Sequence, residues 1–227
     1  MRSSSTAKTS RAEFRAVRDL EAIRKFIVPL SPPVTSFEAS IRSTPFRILV
    51  SVLLSARTQD PVTEKAAARL FAIADTTGKM VRLPEAEIAR LIYPVGFYRT
   101  KARHILGICQ ALGKAEKFPD TLEGLLKLPG IGRKSANLVL SLAFGQPAIA
   151  VDTHVFRISC RLGWAKGNTP VQVEKELEAL FPKNRWSEVN QALVGFGQTI
   201  CRPIHPKCGI CVLNRICPSA ECNKNPN

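Results

Sequence analysis

No stretch of this sequence is long and apolar enough to span a membrane. The strongest apolar run, Phe46 to Leu54, is short and is interrupted by Arg47 and Ser51. The N-terminus, MRSSSTAKTSR, has no apolar segment of the kind a secretory signal needs. It also has no acidic residue. That composition is conceivable for a transit peptide and better suits a flexible basic arm over residues 1–10. Alternating apolar and polar runs that would mark strands are missing, and low-complexity sequence ends with the first ten residues. Acidic residues are scarce: 18 Asp and Glu stand against 33 Lys and Arg, a net charge of +15 on 227 residues. Such an excess points to a polyanionic partner, of which nucleic acid is the commonest. Residues 1–26 hold seven basic and three acidic residues, so 26 basic against 15 acidic remain in the body of the chain. The folded part is itself basic, and 45% apolar residues are enough for a real core.

Seven cysteines without an export signal argue against a disulfide scaffold. Helix-start signals recur instead, each a capping residue followed by proline at the first helical position. Thr44–Pro45 predicts a helix to about Ser55, Asp60–Pro61 one to about Ala74, and Thr169–Pro170 one to about Phe181. Between Lys101 and Leu112, the residues Ala102, Ile105, Leu106, Cys109 and Leu112 fall on one helical face. Ser187 to Cys201 reads as the last long helix. The helix from Phe46 to Leu54 is apolar nearly all round, which predicts a central position. The expected class is all-α.

Two short stretches resemble each other: Pro94-Val-Gly-Phe-Tyr-Arg-Thr-Lys-Ala102 and Pro129-Gly-Ile-Gly-Arg-Lys-Ser-Ala136. Each places a glycine-containing turn ahead of a helix that begins with Arg and Lys. In the second, a short helix from about Thr121 to Leu126 precedes Leu128-Pro129-Gly130-Ile131-Gly132. A longer one runs from Arg133 to Phe144 and stops at Gly145. Gly130 and Gly132 permit a tight turn, and Ile131 can anchor it in the core. The free N–H groups at the next helix start then face outward, where a phosphate can dock beside Arg133. An ordinary inter-helix turn is the alternative.

Lys134 sits in the first turn of that helix, where the helix dipole disfavours a cation. The positive field, Arg133 next door and partial burial would favour the neutral amine, a nucleophile. A solvated lysine contacting phosphate reads equally well. Asp152, in Val151-Asp-Thr-His-Val-Phe-Arg157, is placed to cap a helix from Thr153 to about Leu162, with Gly163 as its stop. Capping holds a carboxylate rigidly, so it is compatible with catalysis.

Cys201-x6-Cys208-x2-Cys211-x5-Cys217 gathers four thiols within 17 residues. Zinc usually takes two C-x2-C pairs, and here there is one, with uneven outer spacings. That favours a [4Fe–4S] cluster. Arg202, Lys207 and Arg215 make the same loop basic, suiting contact with a nucleic-acid backbone. Cys109 and Cys160 fall in apolar helices and read as core residues, while Cys222 lies in the tail and is assigned no role.

LPGIGRKSA, the aspartate of VDTHVFR 18 residues after its lysine, and then C-x6-C-x2-C-x5-C together resemble the endonuclease III family of helix-hairpin-helix DNA glycosylases. The similarity runs from about Ser36 to Cys217. It implies a two-domain fold: a six-helix barrel over 36–146, and a [4Fe–4S] domain built from 11–35 and 147–217, with 218–227 as a tail. It also implies an active site in the cleft between them. Lys134 becomes the nucleophile and Asp152 the carboxylate beside it. Relatives that only remove bases lack a lysine at this position. The implied reaction extrudes the damaged base, attacks C1′ through Lys134 and breaks the strand by β-elimination through a Schiff base. The implied substrate is duplex DNA with damaged bases, oxidised pyrimidines first, or with abasic sites. A monomer is expected. The resemblance places Phe97 at the family's apolar wedge. In Leu54-Ser-Ala-Arg57-Thr-Gln59, Arg57 stands where the family often has Gln, a residue thought to fill the gap left by the flipped base. Two rival readings are a DNA-binding module without catalysis, which Lys134 and Asp152 together disfavour, and a redox protein, which leaves the hairpin unexplained.

Overall fold

The computed structural model describes residues 4–220, apart from 42 and 114, and Cys222 lies outside that range. No strand occurs among the described residues, and no helix there is long and apolar enough to cross a membrane. In chain order the helices are α1 (Ser4–Ile27), α2 (Pro33–Ile41), α3 (Pro45–Ser55), α4 (Asp60–Ile73), α5 (Thr77–Met80) and α6 (Glu85–Ile92). Then follow α7 (Tyr98–Gly113), α8 (Leu122–Leu126), α9 (Arg133–Phe144), α10 (Thr153–Arg161), α11 (Pro170–Leu180) and α12 (Trp186–Thr199). Residues 4–10, expected as part of a flexible arm, are taken into α1. Its first residues include Ala7 and Lys8, good helix formers with no Pro or Gly among them.

The chain forms two compact units, one of Ser36–Gln146 and one combining Met1–Thr35 with Pro147–Asn227. In the Ser36–Gln146 unit, α3 is the central element and packs on α4, α7 and α9. The Thr44 hydroxyl accepts from the Arg47 N–H at 3.4 Å, and Pro45 opens the helix. Phe46 and every residue from Ile48 to Leu54 are buried. Each large side chain in that run contributes about 1.5–3 kcal/mol of burial, which offsets the weak helix propensity of its Val and Ile residues. Arg47 keeps its guanidinium over the Phe71 ring, 4.9 Å from the centroid.

Helix α4 corrects one boundary. Its cap is Gln59 rather than Asp60, because the extended Gln59 backbone presents its carbonyl to the Val62 and Thr63 N–H groups. On α7 the buried face is Lys101, Ala102, Ile105, Ile108 and Cys109. Leu106 and Leu112 are only half-buried, because the face is turned toward Ile108.

The other unit is built on Leu20, Ile23 and Ile27 of α1, Val155 and Ile158 of α10, Val173 and Leu177 of α11, and Val189, Leu193 and Phe196 of α12. Thr169 and Gln172 form a capping box at the start of α11, each satisfying a backbone N–H near the other. Cys160 packs on the edge of this core and Cys109 is buried in the other unit.

Candidate active site

Helices α8 and α9 and the turn between them form the hairpin. Ile131 is buried and its N–H donates to the Leu128 carbonyl at 3.2 Å, which closes the turn. The two glycines do different things. Gly130 has φ +76°, and a Cβ there would lie 2.2 Å from Nδ1 of His104 on α7. Both its backbone and its surroundings therefore exclude a side chain. Gly132 has an ordinary φ of −92° and nothing within 4 Å of where a Cβ would be. It keeps the approach to the α9 start clear. The N-cap Gly132 offers no side-chain acceptor to the start of α9, a helix end whose dipole favours an anion.

Arg133 and Lys134 occupy the first turn of α9, both half-buried. Among the described residues no carboxylate or carbonyl holds the Lys134 amine. Asp152 caps α10: its Oδ1 accepts from the His154 N–H at 2.9 Å and the Val155 N–H at 2.8 Å. Both capping bonds fall on one oxygen, which leaves Oδ2 uncommitted to the helix. Behind the cap, the Arg157 guanidinium lies 3.2 Å from His154 Nδ1 and donates to the Cys201 carbonyl at 2.9 Å.

Arg57 and Phe97 meet. The Arg57 guanidinium lies over the Phe97 ring, 5.6 Å from its centroid. Both residues are exposed, and both have left-handed backbones, φ 54° and 57°. The turn that carries Arg57 is tied from beneath to α7 by Lys101, only 5% exposed. Its ammonium donates to the Leu54 carbonyl at 2.8 Å, the Ala56 carbonyl at 2.5 Å and the Thr58 hydroxyl at 3.2 Å. Burial pulls the Lys101 pKa down to about 8, and its three oxygen acceptors favour the charged form against that. Sequence reasoning missed Lys101, whose only local signal was a lysine on an otherwise apolar helical face.

Cys201, Cys208, Cys211 and Cys217 line a cavity of about 200 Å³ together with Arg161, Phe196, Ile200 and Asn214. Arg161 braces the loop: it donates to the Arg202 carbonyl at 2.7 Å, the Pro203 carbonyl at 2.9 Å and the Cys201 sulfur at 3.5 Å. The Leu213 N–H points at the Cys211 sulfur at 3.4 Å. Burial, reinforced by the facing sulfurs, pushes the Cys211 and Cys217 thiols above their ordinary values. Four thiolates at such positions need a multiply charged cation among them. Among the described residues, no three His, Cys, Asp or Glu side chains close on the position of a single ion. The four cysteines lining this one cavity are donors of the right chemistry for a thiolate-held metal centre. Lys207, Arg202 and Arg215 are exposed on the same loop.

Residues 50–183 match the HhH-GPD superfamily of base excision DNA repair proteins. Endonuclease III of Thermotoga maritima is 46% identical over 177 residues, which cover 76% of this chain and 82% of that protein. The mouse endonuclease III-like protein 1 is 42% identical over 188 residues, covering 81% of this chain and 63% of the longer relative. A solved structure of a trapped endonuclease III–DNA covalent intermediate, an estranged-adenine complex, is 34% identical. It superposes with a TM-score of 0.84 over 94% of this chain and 99% of that one. On this likeness in sequence and fold, the chain belongs to the endonuclease III family within the HhH-GPD superfamily of base excision DNA repair proteins.

Proposed function

We propose that this base-excision DNA glycosylase and lyase works on duplex DNA through Lys134 as nucleophile and Asp152 as the charge-stabilising carboxylate. The observation that carries this is Lys134 itself: a half-buried amine, unheld by any described carboxylate, at the exit of a hairpin suited to phosphate. The likeness to a structure described as a trapped covalent DNA intermediate supports it, since such an adduct requires a nucleophile on the protein. Once the damaged base is out of the stack, the amine attacks C1′ and the bond to the base breaks. Asp152 faces the positive charge that builds on the sugar and assists proton transfer. The C1′–O4′ bond then opens, O4′ takes up a proton, and the resulting iminium acidifies the C2′ proton. Its loss expels the 3′ phosphate and cuts the strand. Oxidised pyrimidines are the substrate class, abasic sites are cut by the same amine, and the protein acts as a monomer. The test is nicking of two duplexes, one with an oxidised pyrimidine and one with an abasic site. Turnover of neither overturns the reading, and binding without cutting would leave a DNA-binding module.

Cys201, Cys208, Cys211 and Cys217 would hold a [4Fe–4S] cluster, which when bound fixes the shape of the basic loop that carries Lys207. Protein purified aerobically should be brown and contain iron and sulfide at about four each per chain. Colourless, zinc-bearing, fully active protein would refute the assignment.

The hairpin, Arg133 and Lys207 contact the DNA backbone, so binding should weaken steeply with salt. If these groups neutralise several phosphates, affinity should fall by roughly 10³-fold or more between 50 and 200 mM salt. A flat response would remove the phosphate-grip reading.

Phe97 is the wedge and Arg57 faces the orphaned base. Gln both donates and accepts hydrogen bonds, whereas Arg only donates. Guanine offers two acceptors on one edge where adenine sets an amino donor beside one acceptor. Arg57 should favour lesions opposite guanine by about 1 kcal/mol, roughly fivefold, the low end for a base-reading contact. Comparing one lesion opposite each base, for the native chain and Arg57→Gln, measures this. An unchanged ratio would mean that Arg57 only holds a phosphate.

A further inference from the structure

Lys101 has no part in the chemistry described above, yet it is a charged group in the interior, and a buried charge is costly unless its surroundings compensate. The compensation is visible. Helix α3 ends at Ser55, and the carbonyls of its last turn have no partner further along the helix. Lys101 reaches in from α7 and takes the Leu54 and Ala56 carbonyls, a cation at the negative end of a helix dipole. Its third acceptor, the Thr58 hydroxyl, also accepts from the Gly96 N–H at 3.1 Å. The ammonium thus anchors the turn bearing Arg57 to α7, and the Thr58 hydroxyl that it holds joins that turn to the one bearing Phe97.

What lies on those turns is strained. Arg57 and Phe97 both have positive φ, and neither is a glycine, so each holds a conformation that L side chains disfavour. Such backbones persist only where the surroundings over-determine them, and they cluster at functional sites. Here the surroundings are two. Lys101 fixes the 54–58 segment from below. Gly96 lets the other turn come close, since a Cβ there would lie 2.7 Å from the Arg57 carbonyl. The result is an exposed guanidinium stacked on an exposed ring, presented as one body. A neutral apolar residue at position 101 would fill the space without the desolvation cost but would release the 54–58 segment on which the Gly96 turn rests.

We propose that Lys101 is a positioning residue that holds Arg57 and Phe97 in the shape needed to part a base pair. This deepens the wedge reading of those two residues and rests on it. A preorganised wedge does its work before the chemical step, so losing Lys101 should harm extrusion of a base and spare the reaction of Lys134 with a site that has none.

The experiment compares the native protein with Lys101→Met, Thr58→Val and Phe97→Ala. A duplex with a reduced abasic site opposite 2-aminopurine reports, by its fluorescence gain on binding, how far the orphan base is unstacked. A second duplex, carrying an oxidised pyrimidine, gives the single-turnover excision rate. A third, with a preformed abasic site, gives the yield of borohydride-trapped adduct. In Lys101→Met the fluorescence gain should fall severalfold and excision on the order of tenfold or more, as in Phe97→Ala, with trapping within about twofold of native. Native fluorescence and excision in Lys101→Met would overturn the proposal, as would a loss in trapping equal to the loss in excision. Should Lys101→Met fail to fold, Thr58→Val decides by the same readings, since it removes the hydroxyl through which the Lys101 anchor reaches Gly96 and leaves both carbonyl bonds. If Phe97→Ala keeps full fluorescence, the wedge reading itself fails and the role of Lys101 falls with it. A loss in Phe97→Ala beside native values in both other variants sinks the role of Lys101 alone.

Discussion

Lys134→Gln should form no borohydride-trapped adduct with abasic DNA and should cut lesion-bearing DNA at a rate lower by about 10³-fold or more, as expected when a covalent nucleophile is removed. Helix physics makes the test clean. Gln and Lys have nearly the same helix propensity, so α9 keeps its stability on that count. Lys134 lies at the positive end of the α9 dipole, and removing its charge there should be neutral or stabilising, by about 0.3–1 kcal/mol. Loss of activity therefore comes with an unchanged or raised Tm, a combination that unfolding cannot produce. Lys134→Arg separates the nucleophile from a phosphate contact. The guanidinium keeps the charge and the reach, so DNA affinity should stay near native. It does not deprotonate at accessible pH and cannot form the imine. An adduct at native yield in Lys134→Gln would move the nucleophile elsewhere. Near-native cutting by Lys134→Arg would reduce Lys134 to a backbone contact.

The parts of this molecule legible in the sequence are those decided within a few residues. Thr44–Pro45, Thr121, Thr169–Pro170 and Gly145 mark helix ends because caps act on N–H and C=O groups three or four positions away. The buried run of α3 was legible because an all-round apolar helix has no face to show to water. Asp152 was placed as a cap for the same local reason, and its two bonds to one oxygen are there. Where the reading was off, competing interactions were long-range or backbone-borne. The cap of α4 moved to Gln59 because a carbonyl, not a side chain, receives the first N–H groups. Gly132 has an ordinary φ and open space around it, in keeping with a turn that glycines keep free of side-chain obstruction, whereas the demand for a positive φ falls on Gly130 alone.

The stacking of Arg57 on Phe97 joins residues 40 positions apart, and no period or spacing encodes it. Lys101 is the sharper case. On a helical wheel it sits beside Ala102 and Ile105 and looks misplaced on an apolar face. Its three oxygen partners come from the end of α3, more than 40 residues earlier. Arg161 is similar, since its acceptors are the carbonyls of Arg202 and Pro203. Backbone carbonyls leave no trace in side-chain identity, so a cation that caps them at long range is invisible until the chain is folded.

Asp152→Asn should bind DNA as the native protein does and lose base excision by about 10²-fold or more, the usual scale when a preorganised charge facing the transition state is removed. The structure says why the fold survives. Both capping bonds of α10 end on Oδ1, and the amide oxygen of Asn accepts the same two N–H groups. Asn is as good a cap as Asp, so only the charge–dipole part is lost, about 0.3–1 kcal/mol. That corresponds to a fall in Tm of roughly 1–4 °C for a chain of this size. Asp152→Ala provides the contrast. It removes the cap as well, which costs about 1 kcal/mol more and lowers Tm further, but it should excise no faster than Asn. If Asp152 were a cap and nothing else, the order would reverse: Asn near native, Ala impaired in proportion to its instability. Measuring single-turnover excision and Tm for both variants distinguishes the two patterns. Native turnover by Asp152→Asn would leave the carboxylate with only a structural role.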